Sequence, residues 1–173
     1  DYVSEKIGEH KQIVDVLKTK TPVQSLDKLL ADKAALEKKL ESLENKIISQ
    51  MAKQFVAKAE VITAANLQVN FVGEEVVLDS ADAVKKLAFD IKNEIENAVV
   101  VIGAVINGKP SVAVALSDTV IESVGLDAGA IIKQTVAPLV KGGGGGQKAL
   151  ATAGGQIPEG VALAIDAVKQ LIK

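Results

Sequence analysis

The stretch "LVKGGGGGQKALATAGG", Leu139 to Gly155, is where the sequence comes nearest to a chemical function. Five consecutive glycines, Gly142, Gly143, Gly144, Gly145 and Gly146, stand between Lys141 on one side and Gln147-Lys148 on the other. Backbone without side chains can present successive N–H groups to an anion, and a lysine at either end adds positive charge. The nucleotide loops built on this chemistry need particular flanks. A dinucleotide-binding turn needs a strand directly before the glycines and a helix directly after, whereas here a helical segment precedes and "ATAGG" follows. A P-loop needs Gly-Lys-Ser/Thr, but Gly146 is followed by Gln147, Lys148 and Ala149. The run therefore reads as an ordered, locally basic loop that suits phosphate attraction, with a flexible linker and a merely solvated surface as the plainer alternatives. The alanines and second glycine pair that come after it favour closely packed backbone over a linker.

The charge distribution points the same way. Residues 61–132 hold four lysines against ten acids, a balance of −6, while residues 133–173 hold five lysines against two acids, a balance of +3. All twenty basic residues are lysine, which holds a phosphate as a point charge but lacks the fork by which arginine reads guanine edges. With no Trp, one Tyr and three Phe, aromatic platforms for stacking bases are nearly absent. Sequence-specific readout is not expected.

Catalytic constellations are missing from the pattern. There is no cysteine, so thiolate nucleophiles, thiolate metal sites and disulfides are excluded together, which fits a reducing cytoplasm. The single histidine, His10, lies far from the glycines and has no carboxylate cluster near it in sequence; it reads as a filler of a helix seam. Glu74-Glu75 and the Glu94/Glu96 pair read as solvated faces. No metal or cofactor is expected in this chain. The longest apolar run, "AVVVIGAVI", falls short of the roughly 20 residues that a membrane helix needs.

The elements that must carry the glycine run divide into two parts, a helical, coiled-coil-like subdomain over 1–60 and a globular α/β domain over 61–173. The first part is helical to about Lys58, broken at "TKTPVQ", where Thr21-Pro22 reads as a helix start. Val3, Ile7, His10, Val14 and Leu17 share one face of the first helix. In the second, Leu26, Leu29, Lys33, Leu36, Leu40, Leu43 and Ile47 recur at alternating steps of three and four, a heptad seam with one polar member. Two readings are open: an antiparallel hairpin in which the first helix covers this seam, and a seam that pairs with a second chain. A continuous second helix of roughly 55 Å, at ~1.5 Å per residue, outreaches the first in either case.

The second part alternates strand and helix. "LQVNFVGEEVVL" reads as one or two strands with Gly73 as a turn or bulge, Ser80 caps a helix, and Asn107-Gly108 joins two β-rich runs as a hairpin. Asp127 caps a helix that Pro138 ends or kinks, and Pro158-Glu159 opens the last helix. The fold class is α+β: a helical arm, then a compact domain with a mixed sheet flanked by helices.

At "GGGGGQKALATAGG" the chain resembles the C-terminal glycine-rich motif of the alanyl-tRNA synthetase family, with Gly142 to Gly146 and Ala153-Gly154-Gly155 on the matching positions. "DYVSEKIGEHKQIVDVLKT" looks like the helix leaving that family's editing domain, "SLDKLLADKAALEKKLESLENKI" like its helical stalk, and "LAFDIKNEIENAVVVIGAVINGKPSVAVALSD" like its central helix and hairpin. Lys148 and Thr152 depart from the motif, where many members have proline and glutamine. The resemblance implies a domain shared with DHH-type phosphoesterases that contacts the outer corner of alanine tRNA, helps couple aminoacylation with editing, and often supports dimerisation through its helices. It implies ATP and zinc for the parent enzyme, with no catalytic motif in this region. A DHH-family phosphoesterase is the nearest alternative, but its histidine after three glycines is replaced here by Gln147. A purely structural oligomerisation module is the third reading.

Overall fold

The computed structural model describes residues 2–18 and 21–173, the side chain of Pro22 excepted. Two helices come first, α1 (Tyr2–Leu17) and α2 (Pro22–Val56). The sequence puts the break between them at "TKTPVQ", of which Thr19 and Lys20 lie outside the described residues. The chain divides into two compact units, 1–45 and 46–173, so the division falls inside α2 rather than at its end.

In the first unit the apolar seams are open. No residue of α1 is buried. Val3 and Ile7 of its predicted face are 60% and 63% exposed, and Leu26, Leu29, Leu36, Leu40 and Leu43 of α2 are each 50–66% exposed. Val14 and Leu17 of that face are half-buried, and Ile13, Val16 and Leu17 share a recess with Leu26, so the first helix reaches the start of the α2 seam and leaves the rest of it uncovered.

The second unit is built on a six-stranded sheet of order β1-β2-β3-β4-β6-β5. Its strands are β1 (Glu60–Ala64), β2 (Leu67–Val76), β3 (Ala98–Ile106), β4 (Lys109–Leu116), β5 (Gly143–Gly146) and β6 (Leu150–Gly154). Among neighbouring strands β2 and β3 run parallel, joined by the crossover helix α3 (Ala81–Glu94), and the other neighbouring pairs are antiparallel. Period-two alternation splits the core in two. Val69, Phe71, Val99, Val101, Val112 and Val114 face one side, under α4 (Asp118–Val124), α7 (Gly160–Leu171) and the helical run that starts with α5 (Ala128–Ile131). Val100, Ile102, Ala113 and Ala115 face the other, under α3 and the last turns of α2 through Ile48, Ala52 and Phe55. "AVVVIGAVI" is thus a central strand covered on both faces, as its apolar pattern requires.

Gly73 is neither turn nor bulge. It lies within the unbroken β2, where a Cβ would fall 2.6 Å from Ile165 Cγ2 and 2.7 Å from the Phe71 ring, so its bareness admits the side chains of the covering layer. Strand β1 gave little signal because its hairpin turn, Ala65-Asn66, holds no glycine; both residues nevertheless adopt positive φ, 47° and 67°, as a two-residue turn demands. Pro138 stands one residue before its helix ends, as expected of a residue that ends a helix. After α5 the chain forms a π-helical segment, Ile132–Val136, and continues as α6 (Ala137–Leu139) past the proline. The wider register accommodates a residue that cannot donate a backbone hydrogen bond.

Candidate nucleic-acid interface

The five glycines do not form a loop. Gly143–Gly146 is the edge strand β5, paired antiparallel with β6 so that Gly143 faces Gly154, Gly144 faces Ala153, Gly145 faces Thr152 and Gly146 faces Ala151. Glycine disfavours strands through its entropy, so something must require it here. Alternation answers for three of the five. A Cβ on Gly142 would collide with the Gly154 carbonyl. One on Gly144 would lie 2.7 Å from Ala153 Cα and from Ile132 Cγ2, and one on Gly146 would lie 2.5 Å from Ala151 Cα. These three let the strand press against β6 and the π-helical segment. Gly143 has nothing within 4 Å on its side, and Gly145 meets only Lys133 Cε at 3.8 Å. The opposite face of β5 is therefore open at Gly143, while the Lys133 stem lies against the half-buried Gly145.

Both ends of the strand are pinned by backbone hydrogen bonds. At the entry, Gly142 N–H donates to Ala137 O at 2.9 Å and Gln156 N–H donates to Val140 O at 2.8 Å, with Lys141 held at φ 47°. At the exit, Gln147 N–H donates to Leu150 O at 2.9 Å, and Lys148 O accepts from Ala128 N–H at 2.9 Å. Asp127 caps that helix start, its Oδ1 accepting from Ala130 N–H at 3.0 Å. Its carboxylate is thus occupied beside the glycine turn.

Each end opens into a shallow recess lined by a pair of lysines. Lys109 and Lys141 meet beside Gly142, Gly154 and Gln156; Lys133 and Lys148 meet beside Gly146 and Gln147. All four lysines are exposed, and among the described residues none of them enters an ion pair; the pairs formed are Lys6–Glu9, Lys33–Glu37 and Lys169–Glu60. The edge strand thus carries two lysines at each end, the exit pair sharing its recess with the Asp127 carboxylate for a smaller net positive charge there, on a side-chain-free backbone whose alternate N–H and C=O groups point away from β6. Such an arrangement can hold a phosphodiester backbone by charge and close approach, without reading bases.

Lys141, Gly142 to Gly146, Gln147 and Lys148, singled out from sequence, are gathered in this one hairpin. Lys109 and Lys133 were missed. Lys109 lies 32 residues before Lys141 and reaches the site only because β4 pairs with β6. Lys133 had a faint signal, as the first residue of the positive segment. The other set, Leu26, Leu29, Lys33, Leu36, Leu40, Leu43 and Ile47, lies along α2, every apolar member at least half exposed. His10 is exposed on α1, and among the described residues no group of three or more His, Cys, Asp or Glu side chains is arranged to hold a metal ion. No described helix is long and apolar enough to cross a membrane.

The model of the DHHA1 domain family matches residues 68–173, which include the whole glycine hairpin. The chain belongs to the DHHA1 domain family. This DHHA1 chain is 31% identical over 173 residues to an alanine–tRNA ligase of Cytophaga hutchinsonii, covering 99% of the chain and 19% of that relative. It is 46% identical over 92 residues to one of Bacteroides thetaiotaomicron, covering 53% of the chain and 10% of that relative. The DHHA1 chain thus spans about a fifth or less of the length of these curated relatives. Among solved structures it is similar to the C-Ala domain from Aquifex aeolicus alanyl-tRNA synthetase, with a TM-score of 0.57 at 20% identity over 65% of this chain and 97% of that one. The α+β architecture read from the sequence is that of this fold.

Proposed function

We propose that this chain is the non-catalytic C-terminal module of an alanine–tRNA ligase and that it holds the outer corner of alanine tRNA on the β5 edge, helping one tRNA to serve both aminoacylation and editing. The observation that carries the reading is the bare glycine strand with a lysine pair at each end, none of the four lysines being in an ion pair among the described residues. Similarity to alanine–tRNA ligases over 99% of the chain supports the identity of the RNA. Lysines without aromatic or arginine partners suit recognition of tRNA shape rather than of a base sequence. The ATP and zinc of such a ligase belong, on this reading, to other parts of the parent enzyme. The exposed α2 seam takes a second copy of the chain as its partner.

The test is a titration of the chain with full-length alanine tRNA and with an acceptor-stem minihelix that lacks the corner, at several salt concentrations. Preference for the full tRNA, weakening as salt rises, is the expected result. Equal affinity for the two RNAs, or no binding at low salt, contradicts the proposal.

A further inference from the structure

Among the six asparagines of the chain, Asn107 alone is followed by glycine. A side-chain amide beside an unhindered backbone nitrogen is a reactive pair. The nitrogen of the following residue can attack the amide carbon and close a five-membered ring, and only glycine offers that nitrogen with no side chain in the way. Asn107-Gly108 makes the two-residue turn between β3 and β4, with φ of 50° and 75°, and both residues are exposed. A Cβ on Gly108 would meet nothing within 4 Å. Among the described residues the Asn107 amide makes no hydrogen bond and the Gly108 N–H donates to no backbone carbonyl, whereas Asn70 is tied to Glu96 O at 2.8 Å and Asn97 to Gln68 O and Thr119 Oγ1.

The turn lies at a hairpin tip that outruns its neighbours. Pairing of β2 with β3 ends at Val76 and Ala104, and pairing of β4 with β6 begins at Ser111 and Gly154, so residues 105–109 pair with no third strand. Such a tip opens at lower cost than the centre of the sheet, and ring closure has to rotate the Asn107 backbone out of the turn. Lys109 is the sole charged residue of the sequence from Ala98 to Leu116, and it lines the entry recess with Lys141. The Cα of residue 107 lies within about 7 Å of that of Lys109, inside the Debye length of about 8 Å at physiological ionic strength.

We propose that Asn107 is a site of self-modification that regulates the entry recess, converting to a carboxylate that offsets the charge of Lys109 and weakens the hold of this edge on RNA phosphates. The regulatory half rests on the tRNA reading; the modification itself does not. The Gly108 nitrogen gives its proton to hydroxide and forms a bond to Asn107 Cγ; the Cγ–Nδ2 bond breaks and ammonia leaves, taking a proton from water. Water then opens the ring at one of its two carbonyls. Breaking the Cγ–N bond gives aspartate, and breaking the bond to the main-chain carbonyl carbon gives β-linked isoaspartate. The net change is water in and ammonia out, with no oxidant or reductant and one negative charge gained. The isoaspartate form also adds a main-chain carbon to a turn that joins the directly paired residues Ile106 and Lys109.

Asn66 supplies an internal comparison. It is exposed, with φ of 67°, in the other two-residue turn, but Leu67 follows it. The chain is incubated at neutral and mildly alkaline pH and its peptides are followed by mass spectrometry, with an isoaspartyl methyltransferase marking the β-linked product. Asn107 should convert at least about tenfold faster than Asn66, and faster as pH rises, because Leu67 shields the nitrogen after Asn66 while Gly108 leaves its own open. Conversion at Asn107 no faster than at Asn66 or Asn97 overturns the proposal. Asn107→Asp, checked for unchanged thermal unfolding, isolates the charge from the added carbon. It should lower affinity for alanine tRNA by about threefold at low salt, the effect of one charge at about 7 Å in water, and the difference should fade as salt rises. Asn107→Gly keeps a turn-forming residue without the amide, so its affinity should match that of the fresh parent and stay constant on incubation. Equal tRNA affinity in Asn107→Asp and a parent that binds tRNA overturns the regulatory half. No tRNA binding by the parent removes the tRNA reading and the regulation with it, while the conversion rates still decide whether Asn107 is modified.

Discussion

Gly144 stands opposite Ala153 across the β5–β6 ladder so closely that a methyl group on it would fall 2.7 Å from the Ala153 Cα, whereas Gly143, one residue earlier, has nothing within 4 Å. Two neighbouring glycines therefore answer to different demands. Gly144→Ala forces β5 away from β6 and Ile132 and should cost about 1–3 kcal/mol. Gly143→Ala relieves unfolded-chain entropy at no steric cost and should leave stability unchanged or raise it by about 0.4–1 kcal/mol. Urea unfolding of both variants checks this, and equal losses would show that the alternation does not govern the strand.

Asn97 ties three parts of the second unit together. Its Nδ2 donates to Gln68 O at 3.1 Å, its Oδ1 accepts from Thr119 Oγ1 at 2.8 Å, and its backbone holds φ at 50° just before β3. Asn97→Ala loses both side-chain bonds and places a Cβ residue less suited to this conformation, for an expected loss of about 2–3 kcal/mol. Asn97→Gly should lose less, since the backbone conformation then carries no penalty. Thermal unfolding of the two variants separates the contributions.

Asp127 caps the helix whose first N–H also anchors Lys148 O. Asp127→Ala should cost about 0.5–2 kcal/mol, and Asp127→Asn should restore most of that because it keeps the acceptor oxygen. Denaturant midpoints of the three proteins decide the matter; an Ala variant as stable as the parent would mean the cap contributes nothing.

Several elements were legible because their signals are local. Ser80 and Asp127 accept from the backbone N–H three residues on, as their positions before apolar-periodic runs indicate, and Asn107-Gly108 makes the expected hairpin turn. The glycine run was legible as ordered backbone but not as a strand. Five glycines have no side-chain period, and only the partner strand β6 reveals which of them face inward. The same limit hid Lys109, whose place beside Lys141 is set by sheet order rather than by spacing. The α2 seam shows the reverse case, fully legible in sequence yet uncovered in the folded chain, because a heptad pattern states that a face needs burial without naming what buries it.

Whether the four lysines around β5 hold tRNA phosphates is tested most directly by the salt dependence of tRNA binding in single variants. For Lys109→Ala, Lys133→Ala, Lys141→Ala and Lys148→Ala, the slope of log K against log salt should each fall in magnitude by about 0.7–0.9 relative to the parent. Lys86→Ala, which removes an exposed charge on α3, should leave the slope unchanged. Slopes unaltered in all four variants, or reduced equally by Lys86→Ala, would contradict the placement of RNA on the glycine edge.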